Sequence, residues 1–186
     1  MNRIHRWYCR TDRWARHVGD LLAWATADVP LRGAAVLELG SGPGLTTDWL
    51  RPRTGALTAL ELDSGDAAAL AQRRTDVRVV TGDATRMPFD DAEFDVVVCF
   101  TMLHHVPTPQ LQDQLLAEAR RVLRAGGVFA GSDSRWGPLF ALAHLGDTMC
   151  LVSPRDVPSR LHRVGFVEAT TQVRRDAFRF RAVAPV

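Results

Sequence analysis

Val36-Leu37-Glu38-Leu39-Gly40-Ser41-Gly42-Pro43-Gly44 is the stretch on which the fold turns. The apolar run Ala35 to Leu39 stops at a glycine cluster, as a strand buried on both faces does, and Thr46 to Leu50 then reads as a helix ended by Pro52. Strand, glycine turn and helix in that order make a ligand cradle: glycines let the backbone turn sharply and let a ligand approach main-chain N–H groups at the start of a helix. The spacing selects the ligand. A dinucleotide fingerprint is G-x-G-x-x-G, whereas Gly40, Gly42 and Gly44 give G-x-G-x-G, with Leu45 where the third glycine should stand. Glu38, two residues before the turn, adds a carboxylate that repels a pyrophosphate and suits a cationic ligand.

The same unit recurs downstream. Ala56 to Leu62 reads as a strand before a helix over Asp66 to Arg74, and Val77 to Thr81 as a strand before a turn at Gly82 and Asp83. Phe94 to Phe100 is the most strand-like run, followed by a helix from about Gln110 to Leu123. After Gly126-Gly127, Val128 to Ser132 is read as a fifth strand. Upstream, Trp14, Val18, Leu21, Leu22 and Ala25 repeat at helical spacing. Alternating strands and helices imply a parallel sheet covered on both faces. Near the end, Ser159 to Val164 lies on a helix stopped by Gly165, and Phe166 to Val173 and Phe178 to Val183 are joined by only Arg174 to Ala177. So short a link suits an antiparallel hairpin and cannot hold a crossover helix. The expectation is an α/β domain with seven strands, mainly parallel, and one antiparallel strand from the C-terminal hairpin. One domain covers 1–186, with an N-terminal lid and helix over 1–30, a ligand-binding core over 31–132, a substrate lid over 133–152 and a C-terminal helix and hairpin over 153–186.

Composition narrows the partners. The 186 residues are 46% hydrophobic and 24% charged, which suits one globular domain with a real core and excludes disorder. The 23 basic residues are all Arg and face 21 acidic ones, so a net charge of +2 gives no field that calls for nucleic acid or an anionic membrane. Cys9, Cys99 and Cys150 are scattered with no C-x-x-C pair, which points to free thiols in a reducing compartment and no structural zinc. No segment approaches the roughly 18 apolar residues of a membrane span, and the first residues have no apolar signal core, so the cytoplasm is expected.

The chain resembles the class I S-adenosylmethionine-dependent methyltransferases, in the small-molecule branch related to the ubiquinone and menaquinone enzymes. Four ordered motifs carry the resemblance over roughly residues 35 to 130. They are Glu38 to Gly44; Leu60-Glu61-Leu62-Asp63; Gly82-Asp83-Ala84 with Met87-Pro88-Phe89; and Phe94 to Phe100 with Leu103-His104-His105, before Gly126-Gly127. The resemblance implies a Rossmann-like fold and S-adenosylmethionine as cofactor, released as S-adenosylhomocysteine. It implies that Glu38, Gly40, Ser41, Gly42 and Gly44 wrap the methionine part. Glu61, about twenty residues past the glycine turn, would hold the ribose hydroxyls, with Asp63 as the competing candidate. Asp83 would accept from the adenine amino group while the Ala84 N–H donates to the ring. Leu62, Cys99 and, from the N-terminal segment, Tyr8 complete the implied cofactor set. Glu61 departs from the commoner Asp, but the longer side chain still reaches a diol.

His104 and His105 follow the fourth strand, facing the crevice where doubly wound folds bind ligands, and are the candidate general bases. The alternative is that one packs beneath the cofactor and the other opens the next helix, because an activated sulfonium methyl can be transferred by alignment alone. The basic, aromatic N-terminus with Trp7 and Tyr8 reads either as a lid or as a solvated segment pinned by Trp7 and Trp14. Arg135 to Leu145 is more apolar than a surface loop, which makes Trp136, Phe140 and His144 candidates for an apolar substrate pocket, against a helix packed on the sheet edge or on a second copy. The expected activity is methyl transfer to a small, partly apolar molecule by a monomer or homodimer. The rivals are a binding or regulatory protein that keeps the fold, an NAD-dependent oxidoreductase, and a nucleic-acid methyltransferase. The last lacks its Asn/Asp-Pro-Pro-aromatic tetrapeptide here.

Overall fold

The computed structural model describes residues 12–137 and 149–186, with side chains from residue 18 onward. Helix α1 (Asp12–Ala25) leads into strand β1 (Ala35–Leu39), helix α2 (Leu45–Leu50) and β2 (Ala56–Glu61). Helix α3 (Ser64–Arg73), β3 (Arg78–Thr81), β4 (Phe94–Phe100) and α4 (Pro109–Val122) follow, then β5 (Leu123–Ser134), α5 (Val157–Arg163), β6 (Val167–Val173) and β7 (Ala177–Val183).

The seven strands form one sheet in the order β3-β2-β1-β4-β5-β7-β6. Strands β1 to β5 pair in parallel, and β7 runs antiparallel between β5 and β6. The hairpin expected from the four-residue link is therefore the one that closes the sheet. The strand order reverses at β1, so the carboxyl ends of β1 and β4 flank the switch point at which such sheets bind ligands.

Period-2 alternation explains how fully apolar strands serve two layers. Val36, Val96, Val98 and Phe100 point to one face, where Val18, Leu22 and Ala25 of α1, Leu50 of α2 and Leu70 of α3 cover them. Leu37, Leu39, Val97, Cys99 and Phe129 point to the other, under Leu115, Leu116 and Ala119 of α4 and Leu161 of α5. Each of these fully buried leucines contributes about 2 kcal/mol of transfer free energy, which is why short strands such as β1 are held firmly.

The α-helix after the glycine turn ends at Leu50, as expected, and the chain tightens into a 3-10 turn over Arg51–Arg53 around Pro52. One expectation needs correction: β5 does not begin after Gly126-Gly127. It starts at Leu123, paired with Phe94, and bends through the glycine pair, with the register slipping before Val128 meets Val96. At its other end the strand runs on to Ser134, so Asp133 and Ser134 belong to the sheet rather than to the substrate lid. Among the described residues no helix is long and apolar enough to cross a membrane.

Candidate functional site

Parallel registry brings the motifs to one edge. Leu39 pairs with Leu60 and Cys99, and Glu61 with Thr81, so the segments that follow β1, β2, β3 and β4 leave the sheet on the same side. The turn is stitched to its neighbours by Gly40 N–H donating to the Leu60 carbonyl (2.8 Å) and Gly82 N–H to that of Glu61 (2.9 Å).

Glu38 lies beneath the glycine turn and is 1% exposed. A buried carboxylate must find donors. It takes the hydroxyl of Thr47 (2.6 Å) and that of Thr46, both from the first turn of α2. Burial pushes its pKa up to about 7, with the two hydroxyls pulling the other way and the charges of Glu61 and Asp48 adding to the rise. The two threonines were not singled out from sequence. Only their i+8 and i+9 spacing across a glycine turn could have flagged them, and that has meaning only once the turn's path is known.

Glu61, 9% exposed, reaches across to the same turn: Oε2 accepts from the Gly42 N–H at 2.6 Å and Oε1 from the Asp63 N–H at 3.0 Å. Each oxygen keeps a second lone pair for a ligand hydroxyl. Asp63, the competing ribose candidate, is instead the N-cap of α3, accepting from Gly65 (2.9 Å) and Asp66 (3.0 Å) N–H groups through one oxygen. Leu62, between them, is 71% exposed, an apolar side chain held at the surface beside two acids. Asp83 is exposed at the end of β3, and one of its oxygens takes both the main-chain N–H and the hydroxyl of Thr85 at 2.8 Å, an Asx turn that fixes the carboxylate. Ala84 next to it is half-buried.

Two features of the turn suit a ligand with polar groups. Gly40 stands at φ +70, and a Cβ there would fall 2.4 Å from Cγ of Met102, so main chain and the segment after β4 approach with nothing between them. Ser41 is buried, yet its hydroxyl has no hydrogen-bond partner among the described residues. An orphan donor in a cradle bordered by two acids fits a ligand bearing an ammonium and a ribose diol, and so fits S-adenosylmethionine.

The other expected residues divide. Cys99 is fully buried in the core under α4, where burial drives its thiol well above the usual range, so the side chain offers nothing to the cleft. His104 is 2% exposed and its Nδ1 is hydrogen-bonded to Oδ1 of Asp133, which is 1% exposed. His105 is half-buried with its ring centroid 4.2 Å from that of His104. Asp133 was missed because a lone Asp at the end of a strand carries no sequence pattern. Trp136 is 67% exposed just beyond β5, and Tyr8, Phe140 and His144 lie outside the described residues.

Comparison with known proteins agrees with this geometry. A family model described as a methyltransferase domain matches residues 37–131. The demethylmenaquinone methyltransferase of Renibacterium salmoninarum is 34% identical over 63% of this chain and 46% of that protein. The fatty-acid O-methyltransferase of Mycolicibacterium smegmatis is 35% identical over 67% of the chain and 46% of that protein. The chain thus spans about half the length of these two curated relatives. A crystal structure of a SAM-dependent methyltransferase from Aquifex aeolicus superposes with a TM-score of 0.71 at 16% identity, covering 92% of this chain and 97% of that one, which shows the fold. With the family model spanning β1 through β5, the chain belongs to the methyltransferase domain family and has the class I methyltransferase fold.

Proposed function

We propose that this chain transfers a methyl group from S-adenosylmethionine to a small, partly apolar acceptor. The observation that carries the reading is the Glu61 carboxylate bonded to the Gly42 N–H above a buried Glu38, since it welds the expected ribose acid to the expected methionine cradle. Glu38, Gly40, Ser41, Gly42 and Gly44 would hold the methionine portion, Glu61 the ribose, and Leu62, Asp83 and Ala84 the adenine. When bound, the cofactor supplies an electrophilic methyl on a sulfonium centre. The chain's own work is then to hold the donor by its amine and diol, exclude water with apolar side chains and align the acceptor in line with the departing sulfur.

Trp136, Phe140 and His144 are the residues assigned to the acceptor's apolar part, and Tyr8 to the cofactor's outer side. The relatives, one named for demethylmenaquinone and one for fatty acids, are consistent with an apolar acceptor of small size. Titration calorimetry with S-adenosylmethionine and S-adenosylhomocysteine tests the reading: both should bind at micromolar concentration, and Glu61→Gln should weaken both. Absence of heat at high micromolar ligand would end the proposal, and binding without product across a broad acceptor panel would reduce it to a binding protein.

A further inference from the structure

We propose that Arg73, the last residue of α3, is a positioning residue for S-adenosylmethionine: it sets the path of the glycine turn and, through the turn, the seat of the ligand's amino-acid portion. The inference deepens the methyl-transfer reading and rests on it for the identity of the ligand. Arg73 lies outside all four motifs, and its part shows only in the fold, where α3 meets the turn at Gly44.

The Arg73 guanidinium spans the chain on both sides of Gly44. Nη1 donates to the two carboxylate oxygens of Asp48 (2.8 and 2.6 Å), and Nη2 donates to the Pro43 carbonyl (3.0 Å). Pro43 lies within the turn and Asp48 in α2, so one planar group joins the cradle to the helix that leaves it. A Cβ on Gly44 would fall 2.5 Å from Nη2 and 2.5 Å from Leu70 Cδ1, which means that α3 meets the main chain of the turn directly. Leu70 is 2% exposed and seats α3 on the sheet, and Arg74 also reaches Asp48, at 3.3 Å.

An exposed ion pair by itself contributes little, and the Arg73 side chain is 45% exposed. Here the pair acts as an anchor. With Nη1 held on Asp48, Nη2 is aimed at Pro43, and a turn made of glycines has few side chains of its own to lock it. Binding through main-chain N–H groups requires them to be placed within about 0.5 Å. The other grips on the turn come from residues assigned to the ligand or from the turn itself: Glu61 holds the Gly42 N–H, Glu38 the hydroxyls of Thr46 and Thr47, and the Ser41 carbonyl the Gly44 N–H. None of the three bonds of Arg73 involves a group assigned to the ligand, so this grip persists when the cradle fills. The consequence is selective. The amino-acid portion of the ligand would lie on this turn, whereas its ribose and adenine would lie with Glu61 and Asp83, after β2 and β3.

Calorimetry on the full chain with two ligands tests it. S-adenosylhomocysteine carries the amino-acid portion; 5′-methylthioadenosine has the same nucleoside and a thioether without it. Arg73→Ala should weaken S-adenosylhomocysteine by roughly three- to tenfold, the worth of one hydrogen bond, and 5′-methylthioadenosine by less than about twofold. Arg73→Lys, which keeps the charge and loses the fork, should lose S-adenosylhomocysteine affinity with the same selectivity, and it supplies the comparison if the alanine variant does not fold. Unchanged or tighter S-adenosylhomocysteine binding in Arg73→Ala, full affinity in Arg73→Lys, or an equal loss on the two ligands would each overturn the inference while leaving methyl transfer standing. If the unaltered chain binds neither ligand, the methyl-transfer reading fails and takes the inference with it.

Discussion

Replacing Glu38 with Gln should make the protein more stable at pH 8 and leave it little changed at pH 4.5. The side chain is sealed beneath the glycine turn with two threonine hydroxyls as partners, and burial lifts its pKa from 4.5 to about 7. The unfolded chain gives up that proton near the ordinary carboxylate value, whereas the folded chain keeps it until about neutrality. Between those two values the native state binds more protons, so its stability falls as pH rises and levels off above the folded pKa. A rise from 4.5 to about 7 corresponds to about 3 kcal/mol lost across that window. Gln has the same shape, lets the Thr46 and Thr47 hydroxyls rotate to suit it, and does not titrate. Urea unfolding of both proteins at pH 4.5, 6 and 8 gives the gap directly, with every other titrating group cancelling. The gap should open in favour of Gln by up to about 3 kcal/mol over the window. A gap that stays constant with pH would refute the reasoning, because it would mean that the native carboxylate is ionised throughout. The same substitution should weaken S-adenosylmethionine binding at pH 8, where the lost charge faces a cation.

Four further outcomes follow from the site. Gly44→Ala places a side chain at φ +85 with its Cβ 2.5 Å from both Leu70 Cδ1 and Arg73 Nη2, so the unfolding midpoint should fall by the equivalent of roughly 1–3 kcal/mol; an unchanged midpoint contradicts the geometry. Asp63→Ala should cost about 1 kcal/mol of stability by removing the α3 cap while calorimetry finds the S-adenosylhomocysteine affinity unchanged. Glu61→Gln should lose roughly tenfold or more in that affinity, about the worth of a hydrogen bond to a charged group, and equal effects from the two would sink the ribose assignment. Trp136→Ala and Phe140→Ala should raise the acceptor KM more than they lower kcat, and no kinetic change in either would remove the apolar pocket.

Much of the fold could be read directly. The β4 strand has the bounds Phe94–Phe100 that its unbroken apolar run implies, the G-x-G-x-G spacing pointed away from a dinucleotide, and the resemblance carried by four ordered motifs named the family that the comparisons show. Glycine was the source of the main misreading. Gly126-Gly127 punctuates the sequence, but pairing of Leu123 with Phe94 and of Gly126 and Gly127 with Ala184 carries the strand through it. Tertiary pairing of this kind leaves no local mark. The same reason hides Asp133, Gln112 and Arg160, three buried polar groups that each bond to a partner 29 to 48 residues away. Asp63 illustrates the converse: it caps α3 through the N–H groups of Gly65 and Asp66, two and three residues on, a purely local role.

The absence of a side chain at Gly40, filled by Met102, means that the donor cradle and the histidine turn share a single contact surface. Any shift in one is passed to the other with no compliant layer in between. Under the proposed function, moving the loop after β4 to admit bulkier acceptors would thus disturb the seating of the donor as well.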